Sequence, residues 1–441
     1  MVRRNGWWML AVVVTLASVS VACSSAKTGS SGSVTTASPA DVHAAASSTP
    51  ITVKDAYTSV TVTVLNAPTY PVLGTDQKYH VVYEVELQNA SKVPATVEKF
   101  EVVDGTDPSK VLASYSGTQL VDPSCGFGNC NRLRALPSSP TQSAVIPAQE
   151  ARVLYVDFTV DGLDQAPRYV LHHFVGTGAD SPRPGDPAPI DYDVTPYDIG
   201  VGTPISIGPP VTGKNWIALN GCCEPGWPHR SSVAPFNGRL VNPQRFAIDW
   251  KQVNDAGDFY VGDKTKNESY VDYGSSIIAV ADGTVVATLD TMDANAPGIL
   301  PAADPVLAKT ITAETVDGNH IVLDLGNGVY AFYAHLVKGS LDVKIGDKVT
   351  KGQKIAELGN TGNSNASHMH FHLMDGPSVL GSNGLPYVIG SFDYAGQIDP
   401  QTIVATDDYL SGSFFGAGRL SNPQPRTNEL PLAWSIVNFS G

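Results

Sequence analysis

The chain has 441 residues, enough for two or three domains, and its 42% hydrophobic content is too high for a disordered chain. Lys and Arg number 28 against 42 Asp and Glu, a formal net charge of −14 that argues against nucleic acid as a partner, because binding nucleic acid requires a cationic surface. Forty-one Gly and 32 Pro favour short strands and turns over long helices.

Residues 1–22 have the pattern of a secretory signal peptide. Arg3 and Arg4 precede an apolar stretch that is short for a membrane span, and small residues lead to Cys23. A weak N-terminal anchor helix is the alternative. The Cys after small residues resembles a bacterial lipoprotein signal, although the usual Leu three residues before it is Ser20 here. The resemblance implies lipidation of Cys23 and anchoring to the outer face of the cell membrane, in the extracytoplasmic cell envelope.

Four further cysteines follow a tether. Residues 23–50 are mostly Ser, Thr, Ala and Gly, a composition that predicts a flexible segment. Thiols outside the cytosol tend to pair. Cys125 and Cys130 close a small Gly-rich loop and are the simplest disulfide candidates. Cys222 and Cys223 then remain, either as a vicinal disulfide or as free thiols, and the sequence alone leaves the pairing open.

The first folded region spans residues 51–175. Its apolar and polar residues alternate with a period of two, as in 60–65 and 80–87, which predicts a β-sandwich of immunoglobulin type. The adjacent His172 and His173 would face opposite sides of a strand and so could not share a metal ion. No catalytic constellation is present in this region, and we expect it to act as a spacer or to present substrate.

Prolines separate this region from a second one. Residues 176–213 are Pro-rich and predict an extended linker. Residues 214–400, with a core at 240–375, predict antiparallel β-structure. Two hairpins are expected there, one around Asp282-Gly283 and one around Gly326-Asn327-Gly328. Residues 401–441 form a C-terminal tail that we expect to fold back on the second region.

A run of alternating histidines carries the strongest functional signal. His368, His370 and His372 are separated by the apolar Met369 and Phe371. Residues two apart in a strand face the same side, so three imidazoles are expected on one face, about 7 Å apart along the strand. Such spacing suits a metal ligand with a catalytic neighbour.

These residues resemble the H-x-H signature of the lysostaphin- and LytM-type zinc metallopeptidases. Tyr333-Ala334-His335-Leu336 is similar to the Y-x-H-L motif of that family, and 345–355 to its glycine-punctuated hairpin. The resemblance covers about 240–375. It implies an antiparallel β metallopeptidase core of lysostaphin type, so that the whole chain is mainly β. It also implies a zinc cofactor and cleavage of peptide crosslinks in bacterial peptidoglycan.

The resemblance also assigns roles to individual residues. By position, His370 and Asp249 are zinc ligands, and His335 and His368 are the catalytic histidine pair. Zinc with three protein ligands keeps one position for water and lowers the pKa of that water to about 7. Two nearby histidines can then orient the water and stabilise the developing oxyanion.

One position departs from the family pattern. The first His of the family's H-x-x-x-D motif falls on Arg245, and a guanidinium cannot bind zinc. Either another histidine completes the site, or the domain is an inactive peptidoglycan-binding or hydrolase-activating lipoprotein. His229 and His372 are the candidates, and we favour His229 because His372 is displaced along the strand. Arg245 could instead bind a substrate carboxylate, or it could form an ordinary surface salt bridge.

Overall fold

The computed structural model describes residues 49–65, 69–122, 124–125, 130–200, 202–399 and 418–440. The predicted signal peptide, Cys23 and most of the predicted tether lie outside these ranges. The described residues form strands and five short 3₁₀ helices, so the prediction of a mainly β protein is confirmed. Among the described helices, none has the length and apolarity needed to cross a bilayer. The helices are Gly117–Gln119, Leu163–Gln165, Asn267–Ser269, Pro301–Ala303 and Leu307–Thr310.

Eleven strands of the described residues form the N-terminal domain. The strands are β1 (Val60–Leu65), β2 (Val72–Leu73), β3 (Tyr79–Asn89), β4 (Ala95–Asp104), β5 (Asp107–Ser116), β6 (Leu133–Ala135), β7 (Ser139–Pro140), β8 (Val145–Ile146), β9 (Ala151–Val160), β10 (Tyr169–Gly178) and β11 (Ala188–Asp198). They form two antiparallel sheets. The first has the order β1-β3-β9-β6-β7 with β2 beside β3, and the second has the order β11-β10-β4-β5 with β8 beside β4.

The two sheets enclose one apolar core. Tyr83 and Val85 of β3 point into it from the first sheet, and Phe100 of β4 and Phe174 of β10 from the second. Each strand alternates its side chains between its two faces, so the period-two pattern of the sequence becomes a sheet face. The domain is therefore a two-sheet β-sandwich, and its immunoglobulin type stays a prediction.

The region expected to be a linker contributes a strand. β11 covers 188–198 and pairs with β10 at the edge of the second sheet. Ile190 and Tyr192 are buried, while Asp191 between them is exposed. Proline lacks a backbone N–H but is tolerated on an edge strand, so the prolines of this segment are compatible with pairing. The expectation of an extended linker over the whole of 176–213 is wrong for this part of it.

Seventeen strands of the described residues form the C-terminal domain. They are β12 (Ile205–Ile207), β13 (Gly213–Leu219), β14 (Ala234–Phe236), β15 (Arg239–Val241), β16 (Ile248–Gln252), β17 (Ser276–Ile278), β18 (Gly283–Leu289), β19 (His320–Gly326), β20 (Val329–Ala334), β21 (Lys348–Val349), β22 (Lys354–Glu357), β23 (Met369–Met374), β24 (Gly384–Leu385), β25 (Tyr387–Ile389), β26 (Phe392–Gln397), β27 (Arg419–Arg426) and β28 (Ser435–Phe439). The large sheet has the order β21-β18-β19-β20-β23-β16-β13-β28-β26-β27, with β24 beside β23.

The two predicted hairpins have different outcomes. β19 and β20 pair antiparallel around Gly326-Asn327-Gly328, as the turn residues predict. The prediction of a hairpin around Asp282-Gly283 is wrong. β17 pairs with β22, whereas β18 pairs with β19 and β21, so the chain changes sheet at this turn.

The described part of the predicted tail, residues 418–440, contributes two strands to the large sheet. β28 lies between β13 and β26, with Trp216 opposite Val437 on one side. β27 forms the edge beyond β26. Residues 435–439 are thus an interior strand of the sheet that carries the candidate site.

The structure pairs the four described cysteines within short distances along the chain. One disulfide joins Cys125 to Cys130, and the other joins the neighbours Cys222 and Cys223. The second follows β13 directly and precedes the segment that contains His229.

Candidate metal centre

Four adjacent strands of the large sheet, β20, β23, β16 and β13, bring the candidate residues together. Asp249 on β16 lies opposite His370 on β23, and Ala334 at the end of β20 lies opposite His370 on the other side. His335 follows directly, with φ of 66°, a left-handed conformation that non-glycine residues rarely adopt. Residues far apart in sequence therefore meet at one place on the sheet.

β23 has two different buried faces. Met369, Phe371 and Leu373 join the large apolar core of the domain. His370 and His372 occupy the opposite face, and both are buried. The alternation of histidine and apolar residues in the sequence thus corresponds to the two faces of β23. It places the imidazoles away from the apolar core.

Three residues form a group that could hold a metal ion. One ligand atom from each of His229, Asp249 and His370 lies within 4.8 Å of the other two. His370 Nδ1 is 3.0 Å from Asp249 Oδ1, and His229 Nε2 is 3.4 Å from Asp249 Oδ2. The rings of His229 and His370 meet edge to face, with centroids 4.7 Å apart. Two imidazoles and one carboxylate are a donor set typical of catalytic zinc sites.

One hydrogen bond to the backbone fixes the orientation of the His229 ring. Its Nδ1 lies 3.2 Å from the carbonyl oxygen of Ala247. A carbonyl only accepts, so Nδ1 carries the proton and Nε2 presents its lone pair towards Asp249. A histidine that donates one ring N–H to the backbone and offers the other nitrogen is the usual arrangement of a metal ligand. The residues present therefore fit a zinc ion.

The charges of the group favour a deprotonated donor set. Burial alone would raise the pKa of the Asp249 carboxyl, but the imidazoles of His229 and His368 hold that pKa well below its usual value. Burial lowers the pKa of His229 to about 4. At neutral pH the carboxylate is thus charged and the imidazole of His229 is neutral, which are the states that a metal ion requires.

A second pair of histidines lies beside this group. The rings of His335 and His368 have centroids 4.6 Å apart, and His368 Nε2 is 3.5 Å from Asp249 Oδ1. His335 Nδ1 donates to the carbonyl of Thr361 at 2.7 Å, and His368 Nδ1 donates to the carbonyl of Ala366 at 2.9 Å. Both rings therefore present Nε2 rather than Nδ1 to the space between them and Asp249.

The surroundings shift the pKa values of these two histidines in opposite directions. Burial, together with the neighbouring His368 and His370, holds the pKa of His335 well below its usual value. Burial also acts on His368, but the Asp249 carboxylate outweighs it and raises the pKa of His368. His335 is thus harder to protonate than a free imidazole, and His368 is easier to protonate.

His372 does not join the group of three. Its Nδ1 lies 3.0 Å from His370 Nε2, on the side of that ring away from Asp249. Between the two candidates for a third ligand, the structure places His229, and not His372, beside Asp249.

Arg245 is not placed to bind a substrate. Its side chain is 1% exposed, and its guanidinium holds the carboxylate of Glu84, with Nη2 2.6 Å from Oε2. The expectation that Arg245 contacts a substrate carboxylate is therefore wrong, because the Glu84 carboxylate already binds its guanidinium group. Glu84 lies 161 positions earlier, and no local pattern links the two residues.

Other supporting residues also went undetected in the sequence. Asn220, just after β13, donates from Nδ2 to Asp249 Oδ2 at 2.8 Å. The buried Lys251 donates to the carbonyl of Ser367 at 2.6 Å, and the Ser367 hydroxyl donates to Asp272. These bonds hold Asp249 and the residue before His368 in place. Lys251 is two residues after Asp249 on β16, so both side chains lie on the same face of the strand. This spacing is the one signal in the sequence that could have identified Lys251 as a supporting residue.

Comparison with known proteins identifies a peptidase domain that contains part of the candidate site. Residues 269–381 match the model of peptidase family M23, so the chain contains an M23 peptidase domain. His335, His368 and His370 lie within the matched residues, whereas His229 and Asp249 precede them. The peptidoglycan DD-endopeptidase ShyA of Vibrio cholerae is 42% identical over 57 residues. That stretch is 13% of this chain and 13% of ShyA.

Solved structures of M23 proteins are similar to parts of the chain. The catalytic domain of lysostaphin from Staphylococcus simulans is 22% identical, with 34% of this chain and 78% of that domain covered and a TM-score of 0.20. A mutant catalytic domain of the prophage-encoded M23 protein EnpA from Enterococcus faecalis is 16% identical, with 42% and 92% covered and a TM-score of 0.21.

Proposed function

We propose that the M23 domain of this chain is a zinc endopeptidase that hydrolyses peptide crosslinks of bacterial peptidoglycan. The observation that carries the proposal is the meeting of His229, Asp249 and His370 in one group, with the His335–His368 pair beside it. The family match supports peptidase chemistry. The name of the Vibrio cholerae relative supports peptidoglycan as the substrate and partner.

His229, Asp249 and His370 would hold the zinc ion. When bound, zinc supplies a Lewis acid and lowers the pKa of a coordinated water to about 7. Asn220 keeps the Asp249 carboxylate oriented, and the Ala247 carbonyl keeps Nε2 of His229 directed at the site. These contacts fix the donors before any ion arrives, so little reorganisation is needed on binding.

The remaining histidine pair supplies proton transfer and charge stabilisation. His335 is neutral and keeps its proton on Nδ1, so its Nε2 lone pair can accept a proton from an attacking water. His368, whose pKa is raised, can hold a proton on Nε2 and so donate a hydrogen bond to the carbonyl oxygen as negative charge develops there. The two roles need different protonation states, and the opposite pKa shifts of the two rings favour them.

Arg245 supports a second candidate function, an inactive peptidoglycan-binding or hydrolase-activating protein. The first histidine of the family motif is replaced there, as a degenerate site would predict. Against this reading, His229 lies where it can complete the donor set. A pure binding module has no chemical need for the buried pair His335 and His368, so we favour the enzyme.

We also propose that the protein acts outside the cytoplasm, tethered to the outer face of the cell membrane by a lipid on Cys23. The support is the sequence pattern of Arg3, Arg4, the apolar stretch 7–22 and the small residues before the cysteine. Export also agrees with the two disulfides of the described residues, because disulfides persist in oxidising compartments.

The proposal is tested by digestion of purified crosslinked peptidoglycan. We expect zinc-loaded protein to release soluble fragments and a chelator to stop the release. His368→Ala should lower the rate about 10²–10³-fold, as expected for loss of an oxyanion-stabilising donor, without changing the near-ultraviolet circular dichroism. His173→Ala, on the sandwich, serves as the matched control and should keep the wild-type rate. Retention of the protein on insoluble peptidoglycan with no release of fragments would support the binding module instead.

A further inference from the structure

The outer face of the N-terminal sandwich packs against the C-terminal domain. On β3, Tyr83 and Val85 point into the sandwich core, whereas Val82 and Glu84 point the other way. Val82 belongs to the large apolar core that also contains β16 and β23. Tyr155 of β9 packs with Val233 of the C-terminal domain. The two domains therefore share buried surface on the side of the candidate metal centre.

A buried carboxylate lies within this shared surface. Glu84 is fully buried, and so are the two guanidinium groups that it holds, those of Arg230 and Arg245. Glu84 Oε1 accepts from Arg230 Nη1, and Oε2 accepts from Arg245 Nη2. Asn242 Nδ2 donates to Oε1 at 2.8 Å as well. Burial alone would raise the pKa of Glu84, but the two guanidinium groups lower it, so the carboxylate stays charged.

Arg230 is fixed by more than this ion pair. Its Nη2 donates to the carbonyl oxygens of Tyr83 and Val156, each at 3.0 Å, so the guanidinium spans β3 and β9. Asn242 Nδ2 also donates to the carbonyl of Arg230 itself at 3.1 Å. Both the side chain and the backbone of Arg230 are thus held at the surface of the sandwich.

The residues held by Glu84 adjoin the proposed zinc ligands in sequence. Arg230 directly follows His229, and Arg245 precedes Asp249 by four residues. By binding Arg230 and Arg245, the Glu84 carboxylate of the N-terminal domain holds the two segments that supply two of the three proposed ligands. His229 lies outside the residues that match the family model. Glu84 is one of the groups that hold its segment against the sandwich, together with the carbonyls of Tyr83 and Val156.

We infer that Glu84 is a positioning residue for the metal centre, and that the N-terminal domain is a structural part of that centre rather than a spacer. This inference rests on the metal site of the proposed function. It also accounts for Arg245: the guanidinium that replaces the usual first histidine links the segment that leads into β16 to the sandwich. Groups that orient metal ligands from outside typically change metal affinity about 10–100-fold when removed.

The test compares zinc binding by the full-length protein and two single-residue variants. Glu84→Gln removes the charge that holds both guanidinium groups while keeping the size of the side chain. Glu101→Gln is the matched control, because Glu101 is a carboxylate of the same domain that pairs with Lys99, away from the centre. Zinc dissociation constants come from competition with a chelator, Co²⁺ absorption reports ligand geometry, and near-ultraviolet circular dichroism of the metal-free protein reports folding.

We expect Glu84→Gln to bind zinc about tenfold or more weakly and to change the Co²⁺ spectrum while remaining folded. Glu101→Gln should bind like the wild type. A folded Glu84→Gln protein with wild-type zinc affinity and an unchanged Co²⁺ spectrum would overturn the inference, and so would equal weakening by the control.

Arg230→Lys decides the question if Glu84→Gln does not fold. Lysine keeps the positive charge but cannot reach Glu84 and the carbonyls of Tyr83 and Val156 together, because it lacks the guanidinium fork. We expect weaker zinc binding and a changed Co²⁺ spectrum, and the absence of both changes would refute the inference. Wild-type protein that takes up no zinc would refute the proposed function too, whereas unaffected variants of a zinc-binding wild type refute the inference alone.

Discussion

His229 reaches Asp249 from a segment twenty residues earlier in the chain, not from the same strand. The position four residues before Asp249, which the family motif gives to a ligand, is Arg245. The candidate centre thus keeps the chemistry of two imidazoles and one carboxylate while one imidazole comes from a different element. What matters for a metal ion is where the donor atoms lie in space, and a motif describes only one way of placing them.

Zinc content should distinguish the two histidines that could serve as third ligand. We expect His229→Ala to lose most of the one zinc per chain that a single catalytic site requires. His372→Ala is the matched comparison, because His372 is also buried but contacts His370 on the side away from Asp249. It should keep its zinc under the same dialysis, with an affinity lowered about 10–100-fold at most. Elemental analysis after dialysis measures both, and metal loss in His372→Ala alone would contradict the assignment.

Short sequence motifs predicted the site residues, but they could not predict a contact between two domains. His335, His368, His370 and Asp249 follow from short motifs, and the structure brings them together. The partner of Arg245 could not be predicted, because Glu84 belongs to another domain and its strand reads as ordinary alternation. A charged residue at a buried position of such a strand is recognised only when the surface covering it is known.

β10 shows how one strand gives two neighbouring histidines different chemistry. His172 is buried, with Nε2 2.9 Å from the Tyr83 hydroxyl, while His173 faces Asp191 and Asp193 at the surface. Burial lowers the pKa of His172 from its usual 6.5 to about 3. This imidazole therefore stays neutral in the folded protein at a pH where the unfolded chain protonates it.

Acid should accordingly weaken the folded state through His172. At pH 5 the unfolded chain binds a proton on this ring and the folded chain does not, so the free energy of unfolding should be about 2 kcal/mol lower at pH 5 than at pH 7.5 from this group alone. His172→Gln keeps a hydrogen-bond partner for Tyr83 but does not titrate. Urea unfolding of the metal-free protein at the two pH values should show a smaller loss for the variant. Equal losses in variant and wild type would exclude this cause.

Turn residues correctly predicted the pairing of two strands in one case and predicted a wrong pairing in another. Gly326-Asn327-Gly328 does connect β19 to β20, because the two strands that flank it are each other's neighbours. Asp282-Gly283 turns the chain as well, but β17 finds its partner in β22 and β18 finds its partners elsewhere. A turn fixes the local change in direction, and the pairing beyond it depends on which strands offer apolar faces in the whole domain.

For the whole molecule, the C-terminal strand β28 is part of the site-bearing sheet. It separates β13 from β26, and its Ile436 is buried with Ile217 and Trp434. The sequence predicts that the tail folds back on the second region, but it does not predict an interior strand there. The segment 435–439 is short, and nothing in it distinguishes an interior strand from an edge strand.

Truncation of Ile436 should reveal this contribution. We expect Ile436→Ala to lower the free energy of unfolding by about 2 to 5 kcal/mol, since it leaves a cavity in a packed core. Leu420→Ala is the control, because Leu420 is on β27 and 38% exposed. It should change stability by less than about 0.5 kcal/mol. Denaturant unfolding measures both, and equal effects would mean that the strand packs less tightly than its burial indicates.

The position of β28 bears on when the protein becomes competent during its synthesis. β13 pairs with β16, the strand of Asp249, on one side and with residues 435–439 on the other. A nascent polypeptide emerges from its amino end, so the sandwich and all the histidines precede this last partner. In a chain still lacking residues 435–439, β13 has no partner along one edge, and β13 is the strand that supports β16 and its Asp249. We therefore expect the proposed hydrolytic activity to appear only after residues 435–439 have been synthesised.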